Sequence, residues 1–335
     1  MQEPLISILT PFKNTQLYLA ACLDSICNQS YTNWELIIVD DGSNDASYTL
    51  VESYAKTEPR IKLLKNKGKG IIDALRLAFK NSRGTYITRM DSDDIMHHDK
   101  LKIMCNSLLK HGKKHVAVGL VKYFSDEGIS NGYARYETWL NNLTSEGSNY
   151  SEIYKECVIP SPCWMLHRDD FIKADAFNPN RYPEDYDLTF RFYKHAFTCI
   201  PCNQVLHQWR DYSTRTSRTH IHYAQNYFLD IKLHYFLELD HDTTRPITIW
   251  GAGTKGKNIA KALIDKEIPF YWICDNEKKI GKHIYQQELH NFNYLKQIEN
   301  PQCIVTVANE QAQQEIKDYF KTHKMQSMID YFFFC

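Results

Sequence analysis

The stretch that decides the fold is Thr85–Asp94, TYITRMDSDD, an apolar β-rich run that ends in three carboxylates within four residues. A strand that carries acidic side chains to the rim of a sheet is suited to a hard divalent cation. Mg2+ and Mn2+ take oxygen ligands and usually share them with substrate phosphates. A second apolar run, Glu35–Val39, also ends in paired carboxylates, Asp40 and Asp41. The two acidic strand ends predict an enzyme that handles a nucleotide diphosphate.

Outward from this stretch, the first hundred residues alternate strand patterns with helix patterns. We predict strands over Leu5–Thr10, Glu35–Val39, Arg60–Leu64 and Tyr86–Met90, and helices over Gln16–Asn28, Tyr48–Lys56 and Gly70–Asn81. We also expect Pro11 to end the first strand. This βαβαβαβ order predicts an α/β domain with a mostly parallel sheet and helices on both faces. Ligands of such sheets bind at the carboxyl ends of the strands, where both acidic clusters fall.

The rest of the chain divides into an irregular middle and a Gly-rich end. The middle is rich in aromatic residues; we predict a short strand at Val116–Gly119 and a long helix over Thr219–Leu239. The polar run His241–Arg245 precedes a proline and is typical of a linker. We therefore predict a first domain over 1–240, with a nucleotide-binding half over 1–115 and an acceptor half with a closing helix over 116–240. A small Rossmann-like α/β domain is predicted over 246–335.

The Gly-rich end contains a G-x-G-x-x-G motif between a predicted strand and a predicted helix. The candidate nucleotide-binding residues there are Gly251, Gly253, Gly256 and, after the next strand, Asp275. Glycines at this spacing, with an acid about 20 residues on, are typical of a dinucleotide site. A structural or regulatory module without a ligand is the alternative. A last strand is predicted at Tyr331–Phe334.

Composition excludes several classes of function. Of 335 residues 43% are hydrophobic and 24% charged, and 40 Lys and Arg balance 40 Asp and Glu. This balance provides no basic field for nucleic acid. No apolar run approaches the roughly 20 residues of a membrane span, and the start of the chain does not resemble a signal peptide. Ten scattered cysteines without a C-x-x-C pair predict reduced thiols. We expect a cytoplasmic protein, with peripheral contact at the inner face of a membrane left open.

Four motifs, in this order, resemble the signature series of the family 2 glycosyltransferases, which have the GT-A fold. They are Ser7–Asn14, Val39–Asp45, Asp91–Asp94 and Pro183–Leu188. The resemblance covers roughly residues 4–217. It implies a GT-A nucleotide-diphospho-sugar transferase domain that uses a nucleotide-sugar donor, usually UDP-linked, and inverts the anomeric carbon. The acceptor would be a glycan, a lipid-linked molecule or a protein, as in the synthesis of cell-surface glycans.

The resemblance assigns a nucleotide-binding role to the first two motifs. Thr10 and Pro11 match residues that line the nucleobase pocket, and Asp41 matches the acid that hydrogen-bonds the uracil ring. A simple turn after a strand is the alternative for Asp40 and Asp41.

The third motif is expected to hold the cofactor, Mn2+ or Mg2+. Asp93 matches the direct metal ligand, and Asp91 matches a residue near the ribose and the metal's water shell. Acidic residues are also favourable at helix N-termini. We therefore expect Asp94 to cap a helix that begins near Ile95, or to support its neighbours.

The fourth motif is expected to supply the catalytic base. Inverting transfer needs a carboxylate that takes the proton of the acceptor hydroxyl. Asp185 matches this base, and Glu184 would touch the acceptor or orient the base. The alternative is a solvated acidic helix start, since Pro183 suits the first position of a helix.

Three cations are candidates for contact with the donor diphosphate: Lys69, Arg89 and Arg210. Lys69 lies in a Lys- and Gly-rich run that also fits a solvated loop. Arg89 precedes Asp91 by two residues on the same strand, and Arg210 belongs to the next segment of interest.

The run Trp209–Ser217 resembles the flexible closing loop of the family. Many members have a His where this chain has Tyr212, so a His–metal contact is not expected there. We expect His207 to pack or to be solvated. Trp164 is either a platform for a sugar or part of the core.

Two other functions stay open at this point. One is an NAD-linked or sugar-nucleotide-modifying enzyme centred on Gly251–Asp275. The other is a donor-binding scaffold without turnover.

Overall fold

The computed structural model describes residues 3–215 and 228–335, and its contacts divide the chain into two units. The first unit comprises residues up to 149 and residues 158–215. The second comprises residues 150–157 and the chain from 216 onward. The predicted linker at 241–245 therefore lies inside the second unit. Residues 150–157 join that unit because the buried ring of Tyr154 packs on Phe236, Phe332 and Phe334.

The first unit is built on an eight-stranded sheet in the order β3-β2-β1-β4-β7-β6-β8-β5. Its strands are β1 (Ile6–Phe12), β2 (Trp34–Asp40), β3 (Ile61–Lys65), β4 (Tyr86–Arg89), β5 (Ile95–Met96), β6 (His115–Phe124), β7 (Trp164–His167) and β8 (Thr198–Arg210). Its helices are α1 (Gln16–Cys27), α2 (Ser47–Thr57), α3 (Ile71–Lys80), α4 (Lys100–His111), α5 (Asn131–Glu146), α6 (Arg168–Lys173) and α7 (Glu184–Lys194). A 3-10 helix spans Asn149–Glu152.

The N-terminal half confirms the predicted parallel order. β1 pairs in parallel with both β2 and β4, and β2 pairs in parallel with β3. Antiparallel pairs appear only around β7 and β5 in this unit's described residues. The four predicted strands and three predicted helices are present, with ends that differ by one or two residues.

The prediction that Pro11 ends the first strand is wrong. β1 continues to Phe12, whose carbonyl accepts from Asp41 N on β2's side. The pairing of β1 with β4 stops earlier, where Met90 N donates to the Leu9 carbonyl. Backbone groups alternate sides along a strand, so Pro11 faces the side that β4 has already left. Its missing N–H breaks no ladder bond.

The predicted short strand at Val116–Gly119 is longer in the structure. β6 runs for ten residues because it pairs in parallel with β8 along its whole length. A register shift after Gly119 keeps the two strands together, and Tyr123 stacks on Trp209 beyond it, with ring centroids 5.0 Å apart. The end of β8 lies beside the acidic edge of the sheet, the residues Asp91–Asp94 after β4, where Arg210 N donates to Asp94 Oδ1.

The second unit contains a six-stranded sheet in the order β11-β12-β10-β9-β13-β14. Its strands are β9 (Ile247–Trp250), β10 (Phe270–Cys274), β11 (His283–Ile284), β12 (Gln287–Asn291), β13 (Gln302–Val305) and β14 (Tyr331–Phe333). Its helices are α8 (Phe228–Tyr235), a π-helix at Phe236–Asp240, α9 (Thr254–Asp265), a 3-10 helix at Phe292–Gln297 and α10 (Glu310–Thr322). All pairs are parallel except that of β11 with β12. The predicted last strand is confirmed. Of the predicted long helix, residues 219–227 lie outside the described residues.

Two of the three motif glycines are required by close packing. Gly251 has a φ of +124°, and a Cβ on Gly256 would lie 2.0 Å from the Gly251 carbonyl oxygen. A Cβ on Gly253 would meet nothing within 4 Å. The first and third glycines thus let α9 start against the end of β9, as glycines of this motif do.

Within residues 3–215 and 228–335, no helix is long and apolar enough to cross a membrane.

Candidate active site

Arg89 connects the end of β4 to the start of α7. Its Nε lies 2.8 Å from Asp91 Oδ1, and its Nη1 lies 2.9 Å from Glu184 Oε1. The side chain of Arg89 is only 6% exposed. Burial alone would lower the pKa of the guanidinium, but the carboxylates of Asp91, Glu184 and Asp185 raise it overall. Arg89 therefore stays charged and holds the third and fourth motifs at one site.

Asp185 lies beside this ion-pair network in the first turn of α7. Its Oδ1 accepts a hydrogen bond from Tyr186 N at 2.8 Å. Burial and the neighbouring Glu184 carboxylate raise the pKa of Asp185 to about 7, against the opposing effect of Arg89. A carboxylate whose pKa is near the working pH is suited to general base catalysis.

The helix that carries Asp185 is fixed by a second buried ion pair. Arg191 Nε lies 2.8 Å from Asp187 Oδ2, and its Nη1 also donates to the carbonyls of Ala174 and Ala176. Asp187 thus has a structural partner one turn along α7, whereas the carboxylate of Asp185 has none of the opposite charge in direct contact among the described residues. Asp185 and Asp187 in the first turn of α7 are therefore not equivalent.

Asp93 follows the same strand end and contacts the segment after β8. Tyr212 donates its hydroxyl to Asp93 Oδ2 at 2.9 Å, and Arg210 Nε donates to the Asp93 carbonyl at 2.8 Å. Burial raises the pKa of Asp93 to about 7, and the negative charges of Asp94 and Asp91 add to this effect. The charges of Asp91 and Asp94 therefore act on the carboxylate of Asp93.

The predicted helix cap at Asp94 is wrong. Ile95 begins β5, not a helix, because it pairs antiparallel with Gln208 of β8. The fully buried Asp94 instead accepts from Arg210 N at 2.7 Å, and its Oδ2 lies 2.9 Å from His207 Nε2. Burial lowers the pKa of His207 well below its usual value. Asp94 and His207 thus anchor β8 to the acidic edge.

Arg210 is held by stacking as well as by hydrogen bonds. Its guanidinium lies 4.6 Å from the ring of Tyr18 and 4.4 Å from the ring of Phe124. Tyr212 also packs on Tyr18, with ring centroids 4.7 Å apart. Residues 216 and 217 of the predicted closing loop lie outside the described residues.

Asp41 is tied to the loop before α3. Its Oδ1 accepts from Asn66 Nδ2 at 2.7 Å and from Gly70 N at 3.0 Å. The exposed Lys69 lies in this loop, and its backbone N–H donates to Asp73 Oδ2 at 3.0 Å. The carboxylate of Asp41 therefore fixes the backbone that carries Lys69.

The end of β1 supplies a buried polar atom without a partner. Thr10 is 0% exposed, and its Oγ1 has no hydrogen-bond partner among the residues that the structure describes. Pro11 beside it is also buried. Such orphaned groups are uncommon in proteins.

Two cations near the acidic cluster were missed by the sequence reasoning. The Arg215 guanidinium lies 5.1 Å from the ring of Trp209, and its charge opposes the rise that burial causes in the pKa of both Asp93 and Asp94. Lys100 is fully buried and donates to the Pro162 carbonyl. Arg215 lies in the quoted run after β8 and could have been suspected. A buried Lys at a helix start leaves no sequence signal.

Trp164 belongs to the core and does not form a sugar platform. It is 2% exposed and packs on Phe171 and Phe192, with ring centroids 5.8 and 6.1 Å away. Neither face of its indole is open for a ligand.

The acidic edge fits a cation only in part. No group of three or more His, Cys, Asp or Glu side chains that could hold a metal occurs in the described ranges. However, Mg2+ is commonly bound by one or two carboxylates together with water and substrate phosphates. Asp91 and Asp93 provide such a pair, and the hydroxyl of Tyr212 contacts only one oxygen of Asp93. The donor set therefore fits a cation that shares its ligands with a bound diphosphate.

The predicted C-terminal nucleotide residues are distributed around the start of α9. Gly253 is the residue before the helix, and Asp275 Oδ2 accepts from Trp250 Nε1 at 3.1 Å. Lys279 Nζ donates to the Ala252 carbonyl of the glycine loop at 2.7 Å. Both contacts brace the loop from the ends of β9 and β10.

Comparison with known proteins identifies the class of the chain. The profile of glycosyl transferase family 2 matches residues 7–174, half of the chain. The chain belongs to glycosyl transferase family 2.

Similar proteins include bacterial transferases. The chain is 29% identical over 222 residues to the UDP-Glc:alpha-D-GlcNAc-diphosphoundecaprenol beta-1,3-glucosyltransferase WfgD of Escherichia coli, with 63% of this chain and 78% of WfgD covered. It is 26% identical over 211 residues to the glycosyltransferase GlyA of Streptococcus pneumoniae, covering 61% of this chain. The chain spans 30% of the length of GlyA.

Solved structures share the fold. Residues 1–349 of S. aureus TarS with UDP-GlcNAc match with a TM-score of 0.54 and 17% identity, over 71% of this chain and 68% of that chain. The mannosyltransferase PcManGT from Pyrobaculum calidifontis, with GDP-Man and Mn2+, matches with a TM-score of 0.54 and 17% identity, over 70% and 65%. These likenesses show the GT-A fold that the sequence motifs predicted.

Proposed function

We propose that this chain is an inverting, Mn2+- or Mg2+-dependent glycosyltransferase that moves a hexosyl or N-acetylhexosaminyl group from a UDP-sugar to a hydroxyl acceptor. One observation carries the proposal. Arg89 contacts both Asp91, at the end of β4, and Glu184, the neighbour of Asp185, which supports one site for the predicted base and the predicted acid Asp91. Membership of the family supports the reaction type.

The donor would lie along the carboxyl edge of β1, β2 and β4. Thr10 and Pro11 would line the nucleobase pocket, and the unpartnered Thr10 Oγ1 supports a polar ligand there. Asp41 would accept from the base, while Lys69 and Arg210 would face the diphosphate. The UDP-GlcNAc complex of TarS and the UDP-Glc in the name of WfgD support a UDP-linked donor.

Asp185 would act as the base in a single displacement. Its carboxylate takes the proton of the acceptor hydroxyl as that oxygen attacks the anomeric carbon from the face opposite the leaving diphosphate. Glu184 would orient this carboxylate and raise its proton affinity. The configuration at the anomeric carbon is then inverted.

Asp93 and Asp91 would hold the cation together with the donor's phosphate oxygens. When bound, the cation supplies electrostatic stabilisation of the charge that develops on the leaving diphosphate. The Mn2+ in the PcManGT complex supports this assignment.

The acceptor would be a glycan, and a lipid diphosphate carrier is supported by the name of WfgD. A cytoplasmic enzyme that builds a cell-surface glycan at the inner face of a membrane would meet both substrates there. All ten cysteines are free thiols, which suits a reducing compartment.

The second unit is proposed to be a Rossmann-like module. Its parallel strands follow the order β12-β10-β9-β13-β14, with the glycine loop at the central strand. Gly251, Gly253, Gly256 and Asp275 would form its nucleotide site if it binds a ligand. An NAD-linked activity centred on this module is the second candidate, and it predicts stabilisation by NAD(P)H.

Thermal shift and donor hydrolysis test these proposals together. UDP with Mn2+ is expected to raise the melting temperature more than NAD(P)H does. Asp93→Ala should remove the Mn2+-dependent shift. Asp185→Asn should keep that shift but lose hydrolysis of the sugar donor. Donor hydrolysis that survives Asp185→Asn unchanged would refute the base, and an Mn2+-dependent shift that survives Asp93→Ala would refute the metal site. A screen of UDP-, GDP- and dTDP-sugars identifies the donor.

A further inference from the structure

We propose that Arg89 is a positioning residue, which holds the Glu184–Asp185 pair in register with Asp91, and that it does not bind the donor diphosphate. This inference rests on the proposed transferase function. It replaces the role in diphosphate binding that the sequence suggested for this cation.

The exposed fractions of the Arg89, Glu184 and Asp91 side chains distinguish a positioning role of Arg89 from a role in diphosphate binding. The side chains of Arg89 and Glu184 are 6% and 7% exposed, whereas that of Asp91 is 21% exposed. Two different nitrogens of the guanidinium already bind carboxylates, at 2.8 and 2.9 Å. A diphosphate would have to compete with the buried Glu184 and the partly exposed Asp91 to reach this cation. Asp91 is the member of the network that faces outward.

Arg89 also spans two elements that are otherwise fixed separately. β4 is set by its parallel pairing with β1, where Arg89 itself is opposite Leu9. α7 is held by Arg191, which donates to the carbonyls of Ala174 and Ala176 outside the helix and pairs with Asp187 within it. Residues 89 and 184 are 95 positions apart in the chain. The planar guanidinium fork fixes the direction of both carboxylates, which a Lys cannot do.

The charges around the base depend on the same contact. Burial and the negative charges of Glu184 and Asp91 disfavour the ionised form of Asp185, and Arg89 is the cation that opposes them. Loss of Arg89 therefore has two consequences: the base carboxylate loses its orientation, and its proton is held more tightly. Loss of a diphosphate ligand would have neither effect.

Four variants separate these roles. Arg89→Met removes the fork and the charge, and Arg89→Lys keeps only the charge. Lys69→Met removes an exposed candidate ligand of the diphosphate. Arg60→Met is the matched control. Arg60 Nη2 lies 2.6 Å from Glu58 Oε2, and this ion pair does not belong to the Arg89 network.

UDP affinity, kcat and its pH dependence are then measured for each purified variant. For Arg89→Met we expect a UDP Kd within about threefold of wild type and a kcat lowered by at least about 100-fold, the size of effect that a misplaced catalytic group produces. The acid limb of its kcat profile should move to higher pH. Arg89→Lys should keep the midpoint of the wild-type kcat–pH profile, but its maximal kcat should be lower than that of the wild type. Lys69→Met should weaken UDP binding, and Arg60→Met should change neither quantity.

The opposite pattern would overturn the inference: a UDP Kd raised more than about tenfold in Arg89→Met, with the pH midpoint unmoved. If Arg89→Met does not fold, the double variant Arg89→Met with Glu184→Gln removes both charges, and retained UDP affinity in it supports the same conclusion. Failure of the transferase proposal is distinguishable, because wild-type protein would then neither bind UDP nor hydrolyse any nucleotide sugar. Titration of the Asp185 carboxyl by 13C NMR reports the effect of Arg89 even without turnover.

Discussion

Replacement of Glu184 by Gln is expected to shift the pH dependence of catalysis without removing the base. In the wild type, burial and Glu184 raise the pKa of Asp185 from 3.8 to about 7. At about 1.36 kcal/mol per pKa unit, this shift corresponds to roughly 4 kcal/mol. Burial is the largest cause of this shift, the Glu184 carboxylate is the next, and Arg89 opposes both. For scale, two like charges about 6 Å apart repel by roughly 3 kcal/mol at an effective dielectric constant of about 20.

The sign of the expected change follows from the role of the base. Asp185 must be ionised to accept a proton, so wild-type kcat should fall about tenfold per pH unit below a midpoint near 7. Glu184→Gln keeps the size and a hydrogen-bonding group but removes the negative charge. The midpoint of the kcat profile should therefore move down by about one pH unit. The fraction of the maximal kcat that remains at pH 6 should then be larger than in the wild type.

The assay is the initial rate of donor hydrolysis, or of transfer to an acceptor, between pH 5 and 9. Saturating donor and Mn2+ ensure that kcat reports the bound complex, and UDP affinity measured at each pH controls for changes in binding. Asp185→Asn serves as the inactive reference. A profile that is flat between pH 5.5 and 8, or a midpoint that Glu184→Gln leaves in place, would refute this account of the base.

Four further outcomes are expected. Asp93→Ala should lower the affinity for UDP in the presence of Mn2+ but not in EDTA, as measured by calorimetry. Asp94→Ala leaves buried donors without an acceptor and should lower the free energy of unfolding by about 2–4 kcal/mol, whereas Asp94→Asn should lower it less. Guanidinium denaturation measures both variants, and equal losses of stability would contradict the buried network. Gly256→Ala forces a methyl group onto a backbone carbonyl and should destabilise the second unit by about 3 kcal/mol or more, while Gly253→Ala should change its unfolding by less than about 1 kcal/mol. Trp164→Ala should lower the free energy of unfolding by about 3–5 kcal/mol, as a core truncation does; an undiminished stability with weakened acceptor binding would instead favour a sugar platform.

The sequence was sufficient where the information is local or carried by a motif. Alternating patterns located β1 to β4 and the helices between them, because each element satisfies its own periodicity. The motifs of the family predicted that Asp91 and Asp185 belong to one site. Neither step required knowledge of which distant segments pair.

Long-range pairing explains what the sequence did not predict. Asp94 has the local pattern of a helix cap, but Ile95 pairs with β8, more than a hundred residues away. The contact between Arg89 and Glu184 depends on where α7 packs, which no spacing encodes. In the same way, the segment around Tyr154 joins the second unit through Phe332 and Phe334, residues near the end of the chain.

The tether on Asp41 has a consequence for the choice of nucleotide. Asn66 and Gly70 both bind Oδ1, so an arriving base would meet the other carboxylate oxygen, which has no hydrogen-bond partner among the described residues. An ionised carboxylate only accepts hydrogen bonds. It therefore favours bases that present a ring N–H, such as uracil, thymine and guanine, over adenine and cytosine, whose corresponding ring nitrogens are themselves acceptors. Asp41→Asn, whose amide can also donate, is expected to narrow the preference for these bases over adenine and cytosine, so this side chain would select a nucleobase by whether that ring nitrogen carries a hydrogen.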